Sequence, residues 1–472
     1  MNKLLVLNAG ASVKADNRSA YLKFPDPKAF FENSNFNSGD LLVFDAMLKV
    51  LAYDSIQGIE FAKMADTSLW PKEMPTATVI RGSNYLTEKL DLANAIPLLK
   101  KLPGPIVPIG VGAQAASYTK LNLTPGTIEA WRIIADKCKS IGVRGAYSAE
   151  VFNDIGIKNV RVIGCPSFYR SLRPSLSIRK VDPASARVGL TLNGYLSKEY
   201  ATNATKTNRM QKALIAAVAS RPNSRLYSQG EREESLAAFS PRDQRGKYVD
   251  SILTRFGLKE DPACQALLLD RMMAFLDVDE WAKHAAEHID VMVGFRLHGN
   301  VIALHQGIPA VFFTYDSRIR ELAALFAAPA IEVEDYNPVN LDRMLEKMDF
   351  TAMEHAYRMN FAEYHQFLSE NALLHRLPKP VAPSAGKPLS ALNVMKLDFS
   401  SDEMSKWLRS EIDFLSTENE YFRTRSWNLE QALREFREKA QPIAKGDPAG
   451  AKNEQINAKG DPVSAKGDKV PA

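Results

Sequence analysis

The sequence predicts an α/β protein: two doubly wound, Rossmann-like domains facing across a cleft, followed by a C-terminal helical or coiled-coil segment and a disordered tail. Three observations predict it. Short apolar runs alternate with longer helical patterns, the alternation restarts after a basic segment holding Pro174 and Pro183, and a seven-residue repeat begins near Met404.

In the first series the runs are Leu4 to Leu7, Thr78 to Ile80, Ile106 to Val111, Ser140 to Val143 and Val160 to Ile163. Each is short and apolar throughout, as a strand covered on both faces of a parallel sheet must be. These give an N-terminal domain over residues 1–175. Residues Ser171 to Pro183 read as a linker. The second series, Arg187 to Leu192, Ser224 to Tyr227, Val291 to Val293 and Ala310 to Phe313, gives a second domain over 184–350 and is followed by a helical or irregular connection over 351–400. Two such domains create a cleft between strand ends, the usual place for a substrate.

From Met404, Leu408, Leu415, Phe422, Leu429 and Phe436 recur at seven-residue intervals, with Asn419 at an interleaved position. This predicts either a two-stranded coiled coil, with a homodimer seam through 404–436, or a surface helix, within a segment spanning 401–440. Residues 441–472 repeat Ala-Lys-Gly-Asp and are poor in apolar side chains, which predicts disorder.

Composition limits the function classes. Sixty Lys plus Arg against 55 Asp plus Glu leave +5 over 472 residues, too small an excess for nucleic-acid binding by bulk charge. The three cysteines, Cys138, Cys165 and Cys264, are too scattered for a metal or redox motif, so a reducing, cytoplasmic setting and no metal are expected. No apolar run reaches the length of a transmembrane span, and the alternative location is peripheral at the inner membrane.

The chemistry concentrates in Val291 to Asp316, where Arg296, Leu297, His298 and Gly299 fall between a strand and a helix. A cation, an imidazole and a glycine at a strand's carboxyl end and a helix N-terminus suit an anionic substrate. Three further segments accompany it: Asn37-Ser-Gly39-Asp40, Ile106 to Gln114 with Gly110 and Gly112, and Ile141 to Glu150 with Arg144, followed by Val162 to Ser167. Asp40 is open to two readings, a helix N-cap or a group facing the cleft. Ser148 lacks a nucleophile elbow and reads as a helix cap. Gln229 and Glu231 follow a strand and read as cleft-lining or as solvated loop residues. His305, two helical turns after His298, is placed to support it.

In this order and spacing the chain resembles the polysaccharide pyruvyl transferase family over about residues 35–335. The Arg296-Leu-His-Gly299 turn leading to Gly307-Ile-Pro309 is the most specific part. The resemblance implies a fold similar to the two-domain glycosyltransferase B type, no cofactor or metal, and transfer of a pyruvyl group from phosphoenolpyruvate onto two hydroxyls of a sugar or lipid-linked oligosaccharide to form a cyclic ketal. Arg144 and Arg296 match its donor-binding arginines. His298 would be the general acid, acting as an imidazolium near neutral pH. Asp40 would be an acceptor-side base or binding group, with Asn37, Gly39, Gly112, Leu297, Gly299, Gln229 and Glu231 lining the substrates. The longer stretch Gly10 to Ser38 departs from the family pattern and bears on the acceptor. Two rival expectations are a nucleotide-sugar-dependent glycosyltransferase on the same scaffold and a coiled-coil assembly component of a polysaccharide synthesis complex.

Overall fold

The computed structural model describes residues 1–9, 22–34, 36–194, 196, 201–333, 339–383, 392–410 and 412. Residues 1–397 form one compact unit and 398–472 a second. The first unit contains two all-parallel sheets. One has strands β1 (Lys3–Leu7), β2 (Ser55–Ile59), β3 (Ala77–Arg81), β4 (Ile106–Val111), β5 (Ile141–Val143) and β6 (Val160–Val162), in the order β2-β1-β3-β4-β5-β6. The other has β7 (Val188–Thr191), β8 (Arg225–Tyr227), β9 (Met272–Met273), β10 (Val291–Gly294), β11 (Ala310–Thr314), β12 (Pro329–Glu332) and β13 (Asn393–Val394), in the order β13-β12-β11-β10-β7-β8-β9.

The strands β3, β4, β5, β7, β10 and β11 are buried along their whole length, which is why they read as unbroken apolar runs. Strands β2, β9, β12 and β13 lie outside the sequence expectation. Of these β2, β9 and β13 form sheet edges or carry partly exposed residues, so their pattern is diluted. Strand order reverses between β1 and β3 in one sheet and between β7 and β10 in the other. Loops on either side of such a point diverge and leave a crevice at the carboxyl ends.

The segment expected as a linker is instead fastened down. Leu176 is buried, Ile178 donates its N–H to Glu354 at 2.8 Å, and Arg179 donates its N–H to the Gly307 carbonyl at 2.9 Å. Between β12 and β13 the chain also returns to the first sheet. In helix Thr351–Glu370, Glu363 accepts from Arg161 at 2.8 Å; beyond it, Asn371 accepts from Ser140 N–H at 3.2 Å, and Arg376 donates its N–H to the Val50 carbonyl at 2.7 Å.

In the second unit, residues 401–410 are helical, and Leu408 and Ile412 are exposed. The remainder of the expected coiled coil and the repeat tail lie outside the described residues, as do residues 10–21 of the longer stretch before Asn37. No helix among the described residues is long and apolar enough to cross a membrane.

Candidate active site

Helix Ser38–Val50 begins with Asn37 as its N-cap, whose side chain accepts the Asp40 N–H at 3.1 Å. Asp40 is therefore not the cap. The Asn37 side-chain oxygen thus has a structural role at the helix start. Asp40 meets Arg81, the last residue of β3, through both carboxylate oxygens, at 3.0 and 3.2 Å. Burial works to raise the Asp40 pKa, but the Arg81 guanidinium, helped by Arg144, holds the carboxyl below the usual range. That favours an ionised carboxylate and opposes its acting as a base.

Arg81 is a residue the sequence reading missed. It is buried at the strand-order reversal of the first sheet, and its Nε donates to the Asn8 carbonyl at 2.7 Å. A signal existed: Arg81-Gly82 ends an apolar run just as Arg144-Gly145 does.

Arg144 follows β5. Its backbone N–H donates to the Val111 carbonyl at 2.9 Å, its Nε to the Gly110 carbonyl at 3.1 Å, and its Nη1 to Asn84 Oδ1 at 2.6 Å. Gly112 lets the guanidinium stem lie flat, since a Cβ there would fall 2.8 Å from both Arg144 Cδ and Asn84 Oδ1. Arg144 is 4% exposed, and among the described residues its hydrogen bonds go to neutral acceptors, while Asp40 and Glu321 feel its charge through space. A buried cation without a carboxylate is costly, and an anionic ligand removes that cost.

On the other sheet, Arg296 ends the loop after β10. It stands at the N-cap of helix Leu297–His305, and no side chain caps that helix. Its N–H donates to Thr191 Oγ1 at 3.2 Å, its Nε to the Leu192 carbonyl at 3.2 Å, and its Nη2 pairs with Glu231. Glu231 and Gln229 are buried, so they are not solvated loop residues. Glu231 also accepts the Gly194 N–H at 3.3 Å, while its second oxygen has no hydrogen-bond partner among the described residues. Beside it Glu234 is fully buried with neither oxygen hydrogen-bonded among the described residues, and burial, then the neighbouring Glu231 charge, push its pKa well above the usual range.

His298 joins the two sheets' sides. A Cβ on Gly39 would lie 2.5 Å from its Nδ1 and 2.6 Å from Gln229 Nε2, and its Nε2 is 3.9 Å from the sulfur of Cys165 after β6. Only glycine at position 39 lets helix Ser38–Val50 approach this closely. Burial first, then the charge of Arg144, lower the His298 pKa to about 3, with Arg296 and Arg318 adding and Asp40 opposing. The ring is neutral at physiological pH, which corrects the expectation of a standing imidazolium. A Cβ on Gly299 would strike Thr191 Cγ2 at 2.4 Å, so its smallness serves packing against β7. Leu297 keeps its side chain buried at the helix start. His305 is buried with its ring toward the Ser167–Phe168 backbone, and no hydrogen bond among the described residues joins it to His298.

Ser148 is neither a cap nor a nucleophile; its hydroxyl accepts the Ala113 N–H at 2.9 Å and donates to Glu321 at 2.7 Å. Among the described residues no three His, Cys, Asp or Glu gather as a metal site. The arrangement is a cationic junction of strand ends with a neutral imidazole between them.

The polysaccharide pyruvyl transferase family model matches residues 37–317, more than half of the chain. The protein belongs to this family, and its class is that of a transferase. The match contains Asp40, Arg81, Arg144, Cys165, Glu231 and Arg296 to Gly299. No curated relative matches the chain significantly. Among solved structures, S. aureus MnaA with UDP is similar at 9% identity and a TM-score of 0.39, over 81% of this chain and 100% of that one. The UDP-GlcNAc 2-epimerase of Neisseria meningitidis bound to UDP-GlcNAc is similar at 9% identity and 0.34, over 79% and 95%. The α,α-trehalose-phosphate synthase of Burkholderia vietnamiensis is similar at 11% and 0.33, over 78% and 97%. Likenesses of this size add nothing to the family assignment.

Proposed function

We propose that the protein transfers the pyruvyl group of phosphoenolpyruvate onto two hydroxyls of a sugar in a polysaccharide or its lipid-linked precursor, on a scaffold of the glycosyltransferase B kind. The observation that carries this reading is Arg144, a buried guanidinium whose hydrogen bonds among the described residues go to neutral acceptors, with its charge and that of Arg296 both acting on His298. The donor's carboxylate and phosphate are anions that suit Arg144, whose own hydrogen bonds go to neutral acceptors, and guanidinium groups bind both in bidentate fashion.

In this reading Arg144 and Arg296 hold the donor, with the uncapped start of helix Leu297–His305 assisting through backbone N–H groups. His298 delivers a proton to the terminal enol carbon, and the neighbouring carbon accepts the first sugar hydroxyl. Phosphate then leaves into the cationic surroundings, the second hydroxyl closes the ketal, and the two hydroxyl protons leave with phosphate and solvent. Asp40, held ionised by Arg81, serves as an acceptor-binding carboxylate.

The test is calorimetric titration of phosphoenolpyruvate, and separately of UDP- and GDP-sugars, into the full chain and into Arg144→Ala. Saturable phosphoenolpyruvate binding weakened by about tenfold or more in the variant is expected, the worth of one charge-assisted contact. Binding of a nucleotide-sugar with phosphoenolpyruvate silent would replace this reading by that of a glycosyltransferase.

A further inference from the structure

Glu321 belongs to helix Ser317–Leu325, which follows β11 of the second sheet, yet its polar contacts are made on the first sheet's side. Its carboxylate accepts the Ser148 N–H at 3.1 Å and the Ser148 hydroxyl at 2.7 Å, and that hydroxyl accepts the Ala113 N–H at 2.9 Å. The same side chain lies on Gly145, where a Cβ would fall 2.7 Å from Oε2 and 2.9 Å from the Glu321 Cβ. Gly145 is the residue after Arg144, and Ala113 is the residue after Gly112, on which the Arg144 stem rests.

The same helix holds this loop a second time. Ser317 donates its hydroxyl to the Ala115 carbonyl at 2.8 Å and its N–H to that carbonyl at 3.2 Å, and its hydroxyl accepts the Ala115 N–H at 3.2 Å.

We propose that Glu321 is a positioning residue for the donor site: from the second sheet's side it clamps the two first-sheet loops, Gly112–Ala113 and Arg144–Gly145, that fix the Arg144 guanidinium. The inference rests on the donor role of Arg144. A helix start on the first sheet needs only an anion or a hydroxyl, and a residue of its own loop could provide it. Recruiting a buried carboxyl from the other sheet makes the placement of Arg144 depend on the two sheets meeting. The energetic cost is visible, since burial pushes the Glu321 carboxyl up to about 7 against the pull of the Ser148 bonds and Arg144.

The experiment is phosphoenolpyruvate titration with thermal denaturation of full-length wild type, Glu321→Ala, Glu321→Gln and Ser148→Ala. Glu321→Ala should weaken donor binding by about tenfold, and Glu321→Gln should restore it to within about threefold, because the amide oxygen still accepts the Ser148 N–H. Ser148→Ala, which removes the hydroxyl's bonds to Glu321 and Ala113 but keeps the Ser148 N–H bond to Glu321, should weaken it by about threefold and covers the case in which Glu321→Ala does not fold. A lower melting temperature with donor affinity unchanged in the folded variants would make Glu321 merely structural and overturn the inference. A failed rescue by Glu321→Gln would also overturn it. Wild type silent toward phosphoenolpyruvate would instead remove the donor reading, and this inference with it.

Discussion

Donor binding should bring a proton with it. The resting His298 pKa of about 3, against an ordinary 6.5, amounts to about 5 kcal/mol of bias against the imidazolium. To act as an acid at pH 7.5 the ring must gain about 6 kcal/mol from what binds beside it. A carboxylate and a phosphate together carry close to three negative charges, and each at ~4.5 Å contributes about 4 kcal/mol at an effective dielectric near 20. Two well-placed charges suffice, and they also offset Arg144 and Arg296, two of the charges that hold the ring neutral. Phosphoenolpyruvate binding at pH 7.5 to 8 should therefore take up about one proton, since the donor's own phosphate, with a second pKa of about 6, has none left to exchange. The assay is calorimetric titration in buffers of differing ionisation enthalpy, where the slope counts protons. Wild type should give a slope near +1 and His298→Asn a slope near zero. Normal binding by wild type with a zero slope would leave His298 neutral in the complex and refute its role as the proton donor.

Gly39→Ala should improve the helix by about 0.5–1 kcal/mol yet damage the site, because the new methyl would meet His298 Nδ1 and Gln229 Nε2 at 2.5 and 2.6 Å. A folded variant of unchanged donor affinity and full transfer activity would sink this. Asp40→Asn leaves the buried Arg81 guanidinium without its counter-charge and should cost about 3 kcal/mol in urea denaturation at pH 7, a loss that shrinks as pH falls through the depressed Asp40 pKa. A pH-independent loss would count against the ion pair as its cause. Glu231→Gln removes the carboxylate that holds Arg296 and should tighten phosphoenolpyruvate binding by about threefold or more. Weaker binding would mean that Glu231 aims Arg296 at the donor and does not compete with it.

The sequence alone determined the parallel α/β architecture and the arginines at two strand ends. Strands covered on both faces must be apolar throughout, so β3, β4, β5, β7, β10 and β11 announce themselves by composition, whereas partly exposed β2, β9 and β13 do not. Arg144 and Arg296 were legible because a cation directly after such a run must emerge at a strand's carboxyl end. Arg81 gave the same signal, but nothing local to it names its partner Asp40, 41 residues away.

What only the tertiary structure decided are the long-range encounters. Gly39 against His298, Cys165 near the same ring, Glu231 on Arg296 and Glu321 reaching Ser148 each join residues at least 65 positions apart. Charge state is decided at the same level. A histidine in an anion-binding turn reads as an imidazolium until burial and the guanidinium of Arg144, brought in from the other sheet, strip its proton. Residue type and spacing fix which groups are available at a strand end; the dielectric and the charges around them exist only once the two sheets have met.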